Sequence, residues 1–460
     1  MKRRRGSRRQ RTARHSFPVI SFIVVSGLAA AAQANPHGGN VVAGTATITR
    51  AGKTLTVDQS SNRAIINWQG FSIRAGETTR LNLPSSVSAI LNRVTGANPS
   101  LIAGHLSSNG QVYLINPNGI VVGPNGRIDT AGFVASTLNL PNDAFMQGGG
   151  MTFKGDSDAG IQVLGSITAT NGDVVLIAAM VDNQGHIAAP NGQAILGAGG
   201  EVFYIPDGQS DIVIKAPAAS GANTVSNSGT IAAASVQMKA AGSAYALAVN
   251  NSGLVSATGL SQHGGRIVLD GGDGDVVQSG TLAAPGGTAS LNGGNITVSG
   301  AVDVSAPTGG GTIAVTATKS ATVAKTAVLK ASATTVGNGG KITVKSQGSA
   351  DVEGTLEAKG GPQGGDGGSA EVSAPDVTYH GQVDLTAPQG QIGQFLLDPT
   401  DVTICLICAL TPADINAALT GSNFTVQADN SITVNSAITS NSTNTLTLDA
   451  PTTTLNATIS

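Results

Sequence analysis

Aromatic residues make up only 3% of this 460-residue chain, with one tryptophan, four tyrosines and nine phenylalanines. An ordinary globular enzyme core draws much of its bulk from such side chains, so this interior has to be filled with small aliphatic groups. Cysteine is nearly missing too. Two residues, Cys405 and Cys408, cannot make a disulfide framework, and two thiolates alone leave a structural zinc site two ligands short. Charged residues are scarce at 11%. Helix-forming patterns are nearly absent, apart from Thr411-Pro-Ala-Asp-Ile-Asn-Ala-Ala-Leu419, where Thr411 can cap a short helix. What the chain has in quantity is glycine, 62 residues, as narrow coils with many corners require.

The first residues form a targeting segment. Lys2, Arg3, Arg4, Arg5, Arg8, Arg9, Arg11 and Arg14 precede an apolar run over residues 17–32, and Ala32-Gln33-Ala34 offers a small-x-small cleavage site. The run is short for a membrane span and fades into alanines, so residues 1–34 read as a cleaved signal peptide of the general secretory (Sec) route. Ser7-Arg8-Arg9 hints at a twin-arginine signal, but Arg11-Thr12 stands where such a signal wants an apolar pair. This segment holds 8 of the 25 lysines and arginines and none of the 27 acidic residues, leaving 17 against 27, a net charge of −10. No basic cluster remains, which excludes nucleic acid as a partner and suits a secreted protein. In an exported chain, Cys405 and Cys408 are expected to form a local disulfide, because the βαβ context of a redox Cys-x-x-Cys is missing.

From about residue 160 a short phrase recurs, glycine, any residue, then an apolar one. It appears at Gly165-Ser-Ile167, Gly185-His-Ile187, Gly229-Thr-Ile231, Gly253-Leu-Val255, Gly280-Thr-Leu282, Gly300-Ala-Val302, Gly354-Thr-Leu356 and Gly381-Gln-Val383, and Ala327-Val-Leu329 fills the same slot without glycine. Steps of about two dozen residues signal a solenoid, and the gap from Gly185 to Gly229 reads as two of them. Second strands such as Gly265-Arg-Ile-Val-Leu269 and Gly340-Lys-Ile-Thr-Val344 alternate apolar with polar residues, the period of a half-buried strand. The expected fold is all-β, a right-handed parallel β-helix with Val, Ile, Leu and Ala inward and Thr, Ser, Gln and Lys outward. A sandwich would want longer strands and fewer glycines. A solenoid needs its first coil covered, and residues 35–100 are the expected β cap, with Trp68, near Phe71, expected as a cap or first-coil core residue.

Residues that carry chemistry are sparse. Past residue 34, His37, His105, His186, His263 and His380 lie outside ligand spacing of one another, and no Ser/His/Asp or Cys/His set can be assembled. Asp156/Asp158 and Asp273/Asp275 fall at glycine-rich corners, where aspartate is a normal turn residue. Gly271-Gly-Asp-Gly-Asp275 is one unit of a calcium nonapeptide without its later aspartate or a tandem copy. Gly364-Gly-Asp-Gly-Gly368 lacks the context of a phosphate loop. Neither a metal nor a cofactor is expected, and the chain does not read as an enzyme.

The most informative stretch is 98–122. It holds two Asn-Pro corners, Asn98-Pro99-Ser100-Leu101 and Asn116-Pro117-Asn118-Gly119-Ile120, around the alternating strand Gln111-Val-Tyr-Leu-Ile115. Pro117 sets φ for the first corner position, and Asn118 or Gly119 can take the positive φ that follows. Together with Ile65-Ile-Asn-Trp-Gln-Gly-Phe-Ser-Ile73, Arg93-Val-Thr-Gly96 and Asp129-Thr-Ala-Gly-Phe-Val-Ala-Ser-Thr137, this stretch resembles the secretion domain of two-partner secretion exoproteins of the filamentous haemagglutinin-like kind. That family carries an Asn-Pro-Asn-Leu-type motif followed by Asn-Pro-Asn-Gly-Ile; the second is intact here, while Ser100 stands at the third place of the first. The likeness is dense over residues 40–145. It implies a signal peptide over 1–34, the cap and core of the secretion domain over 35–147, β-helix repeats over 148–395, and further coils or the truncated start of a repeat region over 396–460. Residues 394–404 resemble a segment between repeat regions of long members. The implied partner is an outer-membrane transporter with periplasmic POTRA domains, the implied place outside the cell or on its surface, and the implied role adhesion to a host-cell or glycan receptor. Rival readings are a β-helical polysaccharide-binding or polysaccharide-degrading protein, which would want a carboxylate-rich groove, an autotransporter passenger, which would want its own barrel, and the N-terminal part of a contact-dependent toxin.

Overall fold

The computed structural model describes residues 35–460 except 207–209, 222, 244–245 and 260–263. The signal segment, with Ala32 and Ala34, lies outside the described residues. The described residues form a right-handed parallel β-helix with an N-terminal β cap; most of its strands pair coil to coil in one sheet, while Asp401–Ile404, Ser431–Val434 and Thr452–Leu455 stack in a separate parallel one. Alternation places every second side chain inside, and parallel register aligns the inward residues in columns. One column runs Ile128, Ile167, Ile187, Ile231, Val255, Leu282, Val302, Leu329, Leu356, Val383. From Ile167 onward it consists of the apolar residues of the recurring phrase. A second runs Val174, Ala194, Val236, Ile267, Ala289, Ile313, Ile342, Ala370, Phe395, Phe424. A third runs Ile120, Ile161, Val181, Val225, Val249, Val276, Ile296, Ala321, Ala350, Val377. All these side chains are buried, and at roughly 25 cal/mol per Å² their stacking supplies the main stabilisation of each coil.

The phrase needs its glycine for closeness. A Cβ at Gly229 would lie 2.1 Å from the Gly185 carbonyl oxygen, and one at Gly253 2.1 Å from that of Gly229. The same carbonyls accept the next strand, from Thr230 N at 2.9 Å and Leu254 N at 3.0 Å. Beside this corner runs a buried amide ladder. Asn183 Nδ2 donates to Asn227 Oδ1 (2.7 Å), Asn227 to Asn251 (2.8 Å) and Asn251 to Gln278 Oε1 (2.7 Å). These three bonds form only in the observed register, so the ladder opposes slippage between coils, although Asn183 Oδ1 at its start has no partner among the described residues.

Two expectations change in detail, and between cap and first-coil core the structure gives Trp68 to the core. Parallel pairing already begins at Thr54–Gln59 with Thr78–Asn82 and at Arg63–Trp68 with Ala89–Val94, so only Asn40–Ala43 and Ala46–Ala51, which pair antiparallel, form the cover. The cap is shorter than 35–100. Trp68 is a core residue of the first coil, edge-on to Phe71 at 5.8 Å, with Nε1 donating to Asn92 Oδ1 at 3.0 Å. The gap from Gly185 to Gly229 is one coil, because Ile187 pairs directly with Ile231.

The surplus residues leave the helix instead. Met151–Lys154, Glu201–Tyr204 and Val213–Ala216 form a separate antiparallel sheet that, with the helix Asn142–Gln147, covers the outside of one face. Leu138, Phe145, Phe153 and Tyr204 pack there on Tyr113, Val134, Val175 and Ile195. The strand Val174–Ala178 is consequently buried at every position, and its unbroken apolar run is the sequence signal of that second layer. Near the other end, Pro412–Gly421 is the expected short helix, with Thr411 accepting from Asp414 N at 3.2 Å in a capping box.

Candidate functional site

The two Asn-Pro corners lie on neighbouring coils, because Ile120-Val121-Val122 pairs in parallel register with Ser100-Leu101-Ile102. Asn116, fully buried, joins them. Its Nδ2 donates to the Asn98 carbonyl at 3.0 Å and to Ser100 Oγ at 2.9 Å, while its Oδ1 accepts from Asn118 N at 3.0 Å and Asn118 Nδ2 at 3.1 Å. Asn118 Nδ2 also reaches the Gly96 carbonyl at 2.8 Å. Gly119 N closes the turn on the Asn116 carbonyl (3.1 Å), and the Gly119 carbonyl accepts from Ser100 N (3.0 Å). Gly119 takes the positive φ, 108°. Ser100 occupies an inward position in register with Ile120, so its hydroxyl is buried, and the contact with Asn116 satisfies it. Pro99, Asn98, Pro117 and Asn118 are exposed, and Leu101 is half exposed. The corner is thus one network with a buried centre and an exposed rim. It contains no acid, base or nucleophile pair and offers recognition or folding rather than chemistry.

The other singled-out residues do not gather around it. His105 Nε2 meets Asp129 at 2.8 Å, His186 Nδ1 meets Thr230 Oγ1 at 2.6 Å, and His380 Nδ1 meets Asp414 at 2.9 Å, each on its own coil surface. His263 lies outside the described residues. Asp158 accepts from Ser220 N and Asp275 from the side chain of Asn295, as corner residues do. Among the described residues no group of His, Cys, Asp or Glu suits a metal ion. Cys405 and Cys408 are bonded, closing a loop whose tip, Leu406-Ile407, is exposed. Such a short loop restricts the unfolded chain little, so reduction with dithiothreitol should cost no more than about 2 kcal/mol in a denaturant titration.

Residues 32–284 match the TPS secretion domain, more than half of the chain. The chain belongs to the TPS secretion domain family. A crystal structure of the HMW1 secretion domain from Haemophilus influenzae is 29% identical, covers 79% of this chain and 100% of its own, and superposes with a TM-score of 0.68. Among curated relatives, a heme/hemopexin-binding protein of Haemophilus influenzae (strain ATCC 51907 / DSM 11121 / KW20 / Rd) is 33% identical over 273 residues, 56% of this chain and 30% of the relative. Another heme/hemopexin-binding protein of Haemophilus influenzae is 37% identical over 132 residues, 27% of this chain and 14% of the relative. This chain therefore spans less than a third of the length of either. Within the secretion domain, sequence reasoning found the corner residues but missed Arg63 and Arg93. Arg63 Nη1 donates to the Phe145 carbonyl (2.8 Å), and Arg93 Nη1 to Asn142 Oδ1 (2.6 Å), tying the outer layer to the first coils.

Proposed function

We propose that this protein is the exported member of a two-partner secretion pair, an adhesive surface or secreted β-helix carried across the outer membrane by a dedicated POTRA/β-barrel transporter. The observation that carries the reading is the secretion-domain match over residues 32–284 with an intact Asn116–Ile120 corner inside it. In this reading residues 1–34 direct passage through the inner membrane and are removed after Ala34, residues 35–147 form the part presented to the transporter, and the coils that follow are cargo. Coil-on-coil folding outside the cell supplies a drive that needs no nucleotide, since each finished coil is a template for the next. Asn116, Ser100, Gly119 and Ile120 shape the domain, and the exposed Asn98, Pro99, Leu101, Pro117 and Asn118 lie at the surface a transporter would meet. The protein acts by binding, not catalysis. Expression of the chain with and without the outer-membrane transporter tests this: export into the medium is expected only with it. Retention in the periplasm beside a working transporter would end the reading.

A second reading, capture of a haem-carrying host protein, is favoured by the names of the curated relatives. Pull-down of hemopexin by the secreted chain tests it, with retention of hemopexin on the immobilised protein as the expected result.

A further inference from the structure

On the face covered by the outer layer, a cavity of about 310 Å³ opens between the loop before Ala89–Val94 and the strand Glu201–Tyr204. Arg63, Gln111, Tyr113, Asn171, Asp173 and Asn191 line it. Tyr113 is 4% exposed and lines the cavity, its ring held edge-on by Phe145 at 5.2 Å, and among the described residues no protein group hydrogen-bonds its phenol oxygen. The oxygen is not sealed in the core but belongs to the cavity lining, where water or a ligand hydroxyl can meet it. Burial pushes the Tyr113 pKa up, with Arg63 opposing and Asp173 adding to the shift, so the phenol stays protonated and keeps a proton to donate.

The remaining groups are held in place by bonds that leave donors and acceptors facing the space. Asp173 is fixed by Gln193 N (2.8 Å) and the Tyr204 hydroxyl (2.7 Å). The amide of Asn191 donates to the Thr170 carbonyl (2.9 Å), and that of Gln111 to the Ser86 carbonyl (2.9 Å). The Oδ1 atoms of Asn171 and Asn191 have no partner among the described residues. Arg63 has spent one of its five N–H groups on Phe145. Val87, Ala89 and the tyrosine rings supply apolar wall. A cavity with both charges balanced, several amides and phenols, and an apolar side suits a ligand that is hydroxyl-rich around a carbon ring rather than one of strong charge.

We propose that this cavity binds a single pyranose unit of a glycan, with the Tyr113 hydroxyl as its buried contact and the Asn171, Asn191 and Gln111 amides on its rim. The proposal goes beyond export. It gives the adhesive reading a place in the secretion domain itself.

The test is saturation-transfer NMR of the secreted chain against glucose, galactose, N-acetylglucosamine and sialic acid, followed by titration of whichever gives a signal. Tyr113→Phe removes only the partnerless oxygen, so the variant should be exported and unfold at the wild-type denaturant concentration or higher, while binding weakens about tenfold. Asn171→Ala, an exposed rim change, should weaken binding with no effect on folding. Signal from none of the four sugars at millimolar concentration, or binding that both variants leave unchanged, would overturn the proposal and make the cavity a water-filled gap. Either result leaves the transporter experiment untouched, so failure here is separable from failure of the export reading.

Discussion

Asn116→Ala should abolish export and destabilise the secretion domain by about 3 kcal/mol, the largest effect of any side chain in the two corners. Alanine at this buried position strands the Ser100 hydroxyl, the Asn98 carbonyl and the Asn118 amide at once. Water can reach the exposed Asn98 and Asn118, but the Ser100 hydroxyl is buried beside Asn116 and would be left without a partner. Asn118→Ala loses exposed contacts and should cost about 1 kcal/mol, with export reduced rather than lost. Denaturant titration of the refolded variants, beside secretion assays with the transporter, separates folding from recognition. A stable Asn116→Ala domain that still fails to leave the cell would move the role of this residue from folding to transporter contact.

Gly253→Ala should break the β-helix locally and cost more than about 3 kcal/mol. The added carbon would meet the Gly229 carbonyl oxygen at 2.1 Å and the Asn227 side chain at 2.9 Å. Both belong to the preceding coil, so relief requires separating Leu254–Ala257 from Thr230–Gly242 and pulling apart the Asn227–Asn251 rung. In a solenoid each coil contacts chiefly its neighbours, so the damage should stay near this interface. Limited proteolysis is expected to cut the variant around residues 240–260 while both flanks persist as resistant fragments. Uniform resistance equal to wild type would show that the corner tolerates a side chain after all.

How far the fold was legible differs by element. The column from Ile167 to Val383 could be read almost residue by residue, because the close-packed corner is marked by glycine in every coil but the one where Ala327 stands. The helix after Thr411 was legible for the same local reason, a cap followed by a proline at the first turn. The gap between Gly185 and Gly229 was misread because length alone does not tell two coils from one coil with an excursion. The strand at 201–204 pairs with residues 151–154, some fifty positions away, and 213–216 adds to its other edge; neither of the distant partners carries a mark of the other. The amide ladder was invisible for a similar reason: Asn183, Asn227, Asn251 and Gln278 look like ordinary polar corner residues until register stacks them.

In the candidate site the same division holds. Pro117 and Gly119 announce a turn by their own backbone limits, and the likeness to a secretion domain could be drawn from the corner motifs and their flanks. That Asn116 reaches across to Asn98 and Ser100, and that Ser100 does its work with a hydroxyl, came only from the pairing of two coils. By itself the sequence determined the repeat, its inward residues, the corners and the export family, all set by local sterics and period. The tertiary structure decided the second layer over one face, the amide ladder and the Tyr113 cavity. Those depend on contacts between residues far apart in the chain, where each partner's chemistry is ordinary and only their meeting is specific.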